Sequence, residues 1–312
     1  MAYPPTAFLG LGALGAPMAA NLLAAGVPLV VHNRTREREA TLQASGARVA
    51  ASPAEAAAAA EVLMLCLSDG AAVEEVLFGA KGAATALAQA AMGSNGGASA
   101  PLVIDCSTIE PARSRRLAER LAEQGIAWLD APVTGGTEGA RAGTLSVLVG
   151  GEAASLERAR PLLELVGSTI THFGPAGAGQ QAKAINQILV AGSYAAVAEA
   201  MALGQRLGLP MEALRQALAG GAAGSWALQH RAAGMVAGRF PLGFRLALHR
   251  KDLAIALAAA QESGLELPVC RTVAAMEDQL MAAGHGDEDV SALARWFALN
   301  PAPPASGAAE AG

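Results

Sequence analysis

The sequence predicts an α/β domain built on a parallel β-sheet, followed by an all-α domain. Up to about residue 173, short apolar segments rich in β-forming residues alternate with amphipathic or alanine-rich segments. After Gly174 the β-forming segments stop and apolar residues recur at helical spacing. The length of 312 residues exceeds the size at which one hydrophobic core usually stops growing, which favours two domains.

Five strand candidates build the first domain. They are mostly continuous apolar runs, at residues 7–9, 29–31, 62–65, 102–104 and 146–149. Strands of this kind between helices are typical of a parallel sheet that is covered on both faces. We therefore assign residues 1–173 to the α/β domain.

Helices account for the second domain. Residues 180–207 contain no proline and place apolar side chains at helical spacing, which predicts one long helix. Prolines and glycines then separate further helical segments, including residues 246–263 and 269–283. Residues 174–300 are thus predicted to be all-α. The loop at residues 90–100 and the Pro/Ala/Gly-rich tail at residues 301–312 are predicted to lack regular structure, the tail being disordered.

Composition and charge exclude several classes of protein. Hydrophobic residues make up 53% of the chain and charged residues 16%, which is too apolar for a disordered protein. The net charge is -5, and basic residues cluster only at Arg34, Arg36 and Arg38, so nucleic acid is not an expected partner. The first eight residues resemble neither a signal peptide nor a membrane span. Three widely separated cysteines fit a reducing compartment, and we expect a cytoplasmic protein without a membrane partner.

A glycine-rich motif follows the first strand candidate and opens a helix; it reads Gly10-Leu11-Gly12-Ala13-Leu14-Gly15. In a dinucleotide site, Gly10 permits the tight turn, Gly12 lets the backbone approach the pyrophosphate, and Gly15 lets the helix pack close to the strand. The phosphates are expected on the exposed N–H groups of the helix N-terminus. The alternative is a glycine turn without a ligand.

The end of the second strand candidate bears on the choice of cofactor. NAD-binding sites usually carry an acidic residue here to hold the ribose 2′-hydroxyl, whereas this chain has Asn33-Arg34-Thr35. Arg34 and Thr35 offer donors to a 2′-phosphate, so the sequence predicts NADP as the preferred cofactor, with NAD possible. The alternative is that these arginines lie on a solvated helix beside Glu37 and Glu39.

Four segments together resemble the β-hydroxyacid dehydrogenase family, in the family's order and over nearly the whole chain. They are the glycine motif continued through Leu22, the loop Asp130-Ala131-Pro132-Val133-Thr134-Gly135-Gly136, residues 174–186, and Lys251-Asp252-Leu253. Residues 220–225 and 240–253 are most similar to the tartronate semialdehyde reductases of this family. The family also contains 3-hydroxyisobutyrate dehydrogenases and glyoxylate/succinic semialdehyde reductases.

The resemblance implies a fold and a reaction. The fold is a Rossmann-type domain, a long interdomain helix and a helical domain of the 6-phosphogluconate dehydrogenase C-terminal type. The reaction is the reversible, NAD(P)-dependent reduction of a short aldehyde acid, such as tartronate semialdehyde, to a hydroxyacid. The family's helical domains associate as dimers or tetramers, so a homo-oligomer is expected.

Lys183 is the expected catalytic residue. It follows three glycines, Gly174, Gly177 and Gly179, and lies in the first turns of the long helix, where the family's lysine faces the cleft between domains. Reduction of an aldehyde needs hydride at the carbonyl carbon and a proton at its oxygen, and an ammonium group can donate that proton. Partial burial would bring the pKa of the lysine towards the working range. The alternative is a surface lysine in an apolar helix.

Further site residues follow from the same motifs. Thr134, with the backbone of Gly135 and Gly136, is expected to bind the substrate carboxylate. The alternative is a turn whose glycines only satisfy backbone geometry. One helical turn beyond Lys183 the family usually has Asn; here Gln187 holds that position and Asn186 precedes it, as in tartronate semialdehyde reductases. Both are candidates for binding the substrate.

The remaining candidates match family positions near the cofactor. Thr108 matches the position beside the nicotinamide ribose, and Lys251 and Asp252 match the motif that reaches the cofactor and the lysine, Asp252 being assigned to the substrate. Leu67 matches an edge over the adenosine side, where Ser68 replaces the family's proline. The five histidines show no metal-ligand spacing with acids or cysteines, so no metal is expected.

Three other functions stay open at this point. Oxidation of 3-hydroxyisobutyrate would differ only in whether the pocket accepts a methyl or a second polar group. An imine reductase and a non-catalytic dinucleotide-binding protein share the architecture but typically lack the lysine, so Lys183 argues against both.

Overall fold

The computed structural model describes residues 3–93 and 100–300 of the chain. The chain divides into two compact units, Met1–Asn186 and Gln187–Gly312, with the boundary inside a 29-residue helix. The expected domain boundary, between residues 173 and 174, lies ahead of this helix. The loop expected at residues 90–100 is wrong at its start, because residues 90–93 belong to the helix Ala83–Gly93. Residues 94–99 of that loop and the whole expected tail at residues 301–312 lie outside the described residues.

One mixed β-sheet forms the centre of the first unit. Its strands are β1 (Thr6–Leu9), β2 (Leu29–His32), β3 (Arg48–Val49), β4 (Val62–Leu65), β5 (Leu102–Asp105), β6 (Ala127–Asp130), β7 (Val133–Thr134), β8 (Leu145–Gly151) and β9 (Gly167–Gly174). Strands β3-β2-β1-β4-β5-β6 are neighbours in that order and all run parallel. This order is that of the doubly wound dinucleotide-binding fold, so the predicted Rossmann-type domain is confirmed.

The last three strands extend the sheet beyond its parallel part. Strand β8 pairs antiparallel with β6 and with β7, and β9 pairs parallel with β8. The prediction of a parallel sheet therefore holds for the first six strands, and the far edge is mixed. The antiparallel pairing places β7 and the residues after it beside the end of β6.

All five strand candidates are strands in the structure, and four strands were not predicted. Strands β3 and β7 contain two residues each, too few for a visible pattern. Strand β9 is mostly exposed and polar, so it lacks an apolar run. Strand β6 is buried beyond its first residue and carries the same pattern as β5, three apolar residues followed by an aspartate, so its omission was an error of interpretation.

Two apolar layers cover the sheet of the first unit. Alternate residues of each strand enter opposite layers: in β1, Phe8 packs on one face, while Ala7 and Leu9 pack on the other. The helices of these layers are α1 (Gly15–Ala24), α2 (Ala40–Ala44), α3 (Pro53–Ala57), α4 (Gly70–Phe78), α5 (Ala83–Gly93), α6 (Pro111–Ala122), α7 (Gly136–Ala142) and α8 (Ala153–Leu163), with a 3-10 helix at Arg36–Glu39. Covering both faces is what makes the strands read as continuous apolar runs.

The second unit is helical. Helix α9 (Ala178–Arg206) leads into it and is followed by α10 (Met211–Ala219), α11 (Trp226–His230), α12 (Ala232–Val236), α13 (Leu246–Glu262), α14 (Pro268–Ala282) and α15 (Trp296–Leu299), with a 3-10 helix at Val290–Arg295. The predicted helices at 180–207, 246–263 and 269–283 correspond to α9, α13 and α14 and are confirmed. A separate apolar core, which includes Met201, Leu253, Cys270 and Leu280, holds this unit together.

Within the part of the chain that is described, α9 is long and apolar enough to cross a membrane by length and composition alone. Core helices of water-soluble proteins pass the same test. Its first turns carry Gln180 and Lys183, and both of these polar side chains are buried against protein.

Candidate active site

The glycine loop between β1 and α1 is shaped by close backbone contacts. A Cβ atom on Gly15 would overlap the carbonyl oxygen of Gly10, so only glycine lets α1 start this close to the strand. Gly10 has φ +101°, and a Cβ there would overlap the carbonyl oxygen of Cys66 at the end of β4. These two glycines hold the loop against the sheet.

Gly12 has a different environment. A Cβ built on it meets no protein atom within 4 Å, so the backbone at Gly12 borders open space. The first turn of α1 contains no acidic residue, and no side chain caps its N-terminus. An open backbone beside uncapped, positively polarised N–H groups fits the pyrophosphate of a dinucleotide. Gly10, Leu11, Gly12, Ala13, Leu14 and Gly15 all lie in this loop and first turn, as predicted.

The end of β2 lies beside this loop. The buried Asn33 accepts a hydrogen bond from Leu11 N at 2.9 Å on Oδ1 and donates Nδ2 to Thr35 O at 2.7 Å, so its carboxamide braces the glycine loop. Glu39 is 3% exposed; it accepts from Asn33 N at 2.7 Å and pairs with Arg36 at 2.9 Å. The carboxylate of Glu39 is thus turned inward and paired with Arg36, whereas that of Glu37 in the same 3-10 helix is exposed. The side chain of Arg34 is exposed.

The ends of β4 and β5 are tied to each other. Leu67 N donates to Ser107 Oγ at 2.8 Å, and Ser107 N donates to the buried carboxylate of Asp105 at 3.0 Å. Thr108 follows directly in this loop and is partly exposed. Leu67 and Thr108 therefore come from adjacent loops at the carboxyl end of the sheet, where open α/β sheets bind their ligands.

Lys183 lies close to the loop that follows β6. Its residue is 7% exposed, and Nζ donates to Val133 O at 2.8 Å. That carbonyl belongs to the residue before Thr134. The structure therefore brings the lysine to the predicted substrate loop, and the carbonyl fixes the direction of the ammonium group.

Asp130 holds the same two segments together. Its carboxylate is fully buried and accepts from Gly177 N at 2.7 Å and Gln180 N at 2.9 Å, the amides at the start of α9. Burial raises the pKa of Asp130, and the two backbone hydrogen bonds oppose that shift. The end of β6 is thereby attached to the helix that carries Lys183. Sequence reasoning quoted Asp130 in a motif but gave it no role.

Thr134 ends the short strand β7 and is partly exposed. Gly135 and Gly136 follow with φ of +130° and +64°, angles that favour glycine, and they begin α7. A hydroxyl followed by two backbone N–H groups is a donor set suited to a carboxylate.

In the second unit, a buried polar network surrounds Gln187. Its Nε2 donates to Asp252 Oδ2 at 2.6 Å, and Lys251 Nζ lies 3.0 Å from Asp252 Oδ1. Asp252 is 2% exposed, so its charge is balanced by Lys251 and oriented by the amide of Gln187. Gln187 also lies one helical turn after Lys183 on α9. Asn186, the boundary residue of the first unit, is partly exposed.

Sequence reasoning missed a second buried pair beside this network. His249 Nδ1 lies 2.6 Å from Glu277 Oε1, and His249 Nε2 lies 3.4 Å from Gln187 O, with both side chains fully buried. His249 lies in the segment that carries the family resemblance, but only the packing of α13 on α14 reveals Glu277 as its partner.

Two family models match nearly the whole described chain. The model of the NAD binding domain of 6-phosphogluconate dehydrogenase matches residues 5–174, and the model described as NAD-binding of NADP-dependent 3-hydroxyisobutyrate dehydrogenase matches residues 177–297.

Individual proteins match over similar lengths. The chain is 38% identical to the 2-hydroxy-3-oxopropionate reductase of Escherichia coli, covering 94% of this chain and 96% of that protein. It is 40% identical to the NAD-dependent L-serine dehydrogenase of Pseudomonas aeruginosa, covering 93% and 97%. The crystal structure of 3-hydroxyisobutyrate dehydrogenase from Salmonella typhimurium superposes with a TM-score of 0.83 at 31% identity, covering 94% of this chain and 99% of that one.

Proposed function

Because the chain belongs to the β-hydroxyacid dehydrogenase family and is an NAD(P)-dependent oxidoreductase, we propose that it reduces a short aldehyde acid to a hydroxyacid, reversibly. A tartronate semialdehyde-like compound is the proposed substrate. The observation that carries the proposal is the buried Lys183, whose Nζ lies 2.8 Å from Val133 O, next to the donor set of the Thr134 loop. The proposed proton donor and the proposed carboxylate-binding loop are thus neighbours.

The proposed cofactor is a nicotinamide dinucleotide, with NADP preferred over NAD. The pyrophosphate would be held by the glycine loop, that is by Gly10, Leu11, Gly12, Ala13, Leu14 and Gly15. The adenosine ribose would lie at Asn33, Arg34 and Thr35. The remainder of the cofactor would be lined by Leu67, Thr108 and Lys251. The exposed Arg34 and the inward-turned Glu39 support NADP, because Arg34 offers a cation to a 2′-phosphate and the carboxylate of Glu39 is held by Asn33 N and Arg36. NAD is the alternative cofactor, because the L-serine dehydrogenase relative is named as NAD-dependent.

When bound, the reduced nicotinamide supplies the hydride to the carbonyl carbon. Lys183 holds a proton on Nζ and donates it to the carbonyl oxygen, leaving a neutral amine; in the reverse direction the amine accepts that proton. Val133 O keeps one N–H of the ammonium occupied and thereby orients the others.

The substrate is proposed to bind through its carboxylate and its oxygen substituents. Thr134, Gly135 and Gly136 offer the hydroxyl and N–H donors for the carboxylate. Gln187, Asn186 and Asp252 are assigned to the substrate by resemblance. The hydrogen bond from Gln187 Nε2 to Asp252 supports this for Gln187, because it holds the side-chain amide in one orientation.

Oxidation of 3-hydroxyisobutyrate is the second candidate function. The match to a solved 3-hydroxyisobutyrate dehydrogenase over nearly the whole chain favours it. The two functions share every residue assigned above and differ in the group that the substrate carries beside its carboxylate.

A homo-oligomer, dimer or tetramer, is proposed for the cytoplasmic enzyme. Three large apolar side chains are exposed along α9 and a fourth directly follows it, which would be costly in water, and a second copy of the chain would cover them: Ile185, Leu189, Leu203 and Leu207.

Steady-state rates with matched substrates test the proposal. Tartronate semialdehyde should be reduced, and glyceraldehyde, in which a hydroxymethyl group replaces the carboxylate, should not be. Thr134→Val should raise KM for the acid, while Thr171→Val, an exposed threonine on β9, should leave KM unchanged. Equal rates on acid and uncharged aldehyde would refute carboxylate recognition. Faster turnover of 3-hydroxyisobutyrate than of tartronate semialdehyde would establish the second candidate.

A further inference from the structure

Gln180 brackets the loop that contains Thr108. Its residue is 1% exposed, Nε2 donates to Ser107 O at 2.8 Å, and Oε1 accepts from Ile109 N at 3.1 Å. The amide thus binds the backbone on both sides of Thr108. Both bonds are buried and join residues more than 70 positions apart in sequence.

The same residue is fixed from its other side. Gln180 N donates to Asp130 Oδ2 at 2.9 Å, and Lys183 follows three positions later, on the same face of α9. One residue therefore links the carboxyl end of β5, the carboxyl end of β6 and the helix that carries the lysine. A shift of the Thr108 loop relative to Lys183 would have to break the hydrogen bonds that the Gln180 side chain makes.

The position of that loop on the sheet indicates what it faces. The glycine loop follows β1, and the strands run in the order β2-β1-β4-β5. A dinucleotide lies across the carboxyl ends of such strands with its two halves on opposite sides of the first strand. Asn33 and Arg34 directly follow β2, on the proposed adenosine side. The other half of the cofactor must then lie over β4 and β5, where residues 107–109 are.

We propose that Gln180 is a positioning residue that holds the loop under the nicotinamide half of the cofactor in register with the Lys183 ammonium group. The inference rests on the proposed function for the identity of the cofactor and the role of the lysine. Gln180 itself touches neither substrate nor hydride. It acts by making the Thr108 loop and the start of α9 one rigid piece.

Two ligands and a matched control separate this role from general stability. NADPH spans both halves of the site, whereas adenosine 2′,5′-bisphosphate lacks the nicotinamide half. Gln180→Met keeps the shape of the side chain and removes both hydrogen bonds; Gln181→Met makes the same change at the next, exposed position. Fluorescence and calorimetric titrations then give Kd for each ligand with each protein.

Gln180→Met should raise Kd for NADPH by about tenfold, the size expected for one or two neutral hydrogen bonds. Its Kd for adenosine 2′,5′-bisphosphate should stay within about twofold of the wild-type value, well below one hydrogen bond. Gln181→Met should change neither. Equal losses for both ligands, or no loss for NADPH, would overturn the proposal.

A second variant keeps the proposal testable if Gln180→Met does not fold. Gln180→Glu keeps an acceptor for Ile109 N but loses the donor to Ser107 O. It should therefore also raise Kd for NADPH and leave Kd for adenosine 2′,5′-bisphosphate nearly unchanged. Wild-type affinity of this variant for NADPH would contradict the proposal. If activity is present, the deuterium isotope effect on kcat with 4-deuterated NADPH should rise in both variants, because hydride transfer becomes slower. If the wild type reduces no aldehyde acid, the proposed function fails, and the titrations still decide the role of Gln180.

Discussion

Replacing Asp130 by asparagine should destabilise the first unit. The two carboxyl oxygens of Asp130, which keep lone pairs in either protonation state, accept hydrogen bonds from Gly177 N at 2.7 Å and from Gln180 N at 2.9 Å. A carboxamide has one oxygen, so one of these N–H groups would face an NH₂ group. An unpaired buried donor costs about 1–3 kcal/mol, and we expect a loss of that size in the free energy of unfolding.

The loss should depend on pH with a defined sign. Burial raises the pKa of Asp130, so the folded chain holds this proton more tightly than the unfolded chain does. The corresponding stability is present below the ordinary carboxyl pKa and is lost as pH rises through the raised one. Asparagine does not titrate. The deficit of the variant should therefore be largest at about pH 4 and smaller at about pH 8.

Urea unfolding followed by circular dichroism over this pH range measures the effect. Asp287→Asn is the matched control, because that side chain is 89% exposed and pairs only at the surface with Arg245; it should change stability by less than about 0.5 kcal/mol. A deficit for Asp130→Asn that grows with pH would refute the reasoning, since it would mean that the hydrogen bonds outweigh the burial.

Three further predictions concern the cofactor loop and the thiols. Gly12→Ala should weaken NADPH binding and leave the melting temperature nearly unchanged, because its Cβ enters open space. Gly15→Ala should lower the melting temperature, because its Cβ overlaps Gly10 O. The opposite pattern in thermal melts and NADPH titrations would refute the assignment. Arg34→Ala should reduce the ratio of kcat/KM for NADPH over NADH, and a wild-type preference for NADH would exclude NADP as the preferred cofactor. Burial raises the pKa of all three thiols, that of Cys66 to about 12, so iodoacetamide at about pH 8 should label them only after unfolding; rapid labelling of the native chain would contradict this for Cys66, Cys106 and Cys270.

Patterns that repeat along the chain were sufficient for the elements that build the fold. Continuous apolar runs identified β1, β2, β4, β5 and β8, because strands covered on both faces must be apolar throughout. The long helix was visible because residues 180–207 lack proline. Strand β9 was not visible, since its burial is low and its sequence polar. Its place is set by pairing with β8, which no local pattern encodes.

The candidate site divides in the same way. Lys183 and the glycine loop belong to sequence motifs whose residue types indicate their proposed roles. Asp130 and Gln180 act through backbone groups of residues 47 to 73 positions away, so their role appears only when the chain is folded. The partnership of His249 with Glu277 likewise depends on the packing of α13 on α14.

The most direct test of the proposed chemistry is the effect of Lys183→Met on turnover and on binding, measured on one preparation. We propose that the glycine loop holds the dinucleotide independently of Nζ, so Kd for NADPH should be nearly unchanged. The kcat for reduction of the aldehyde acid should fall by about 10²–10⁴, the range for a general acid. Lys81→Met, at an exposed lysine, should retain full activity. A Lys183→Met enzyme that keeps more than about a tenth of the wild-type kcat would show that the proton comes from another donor.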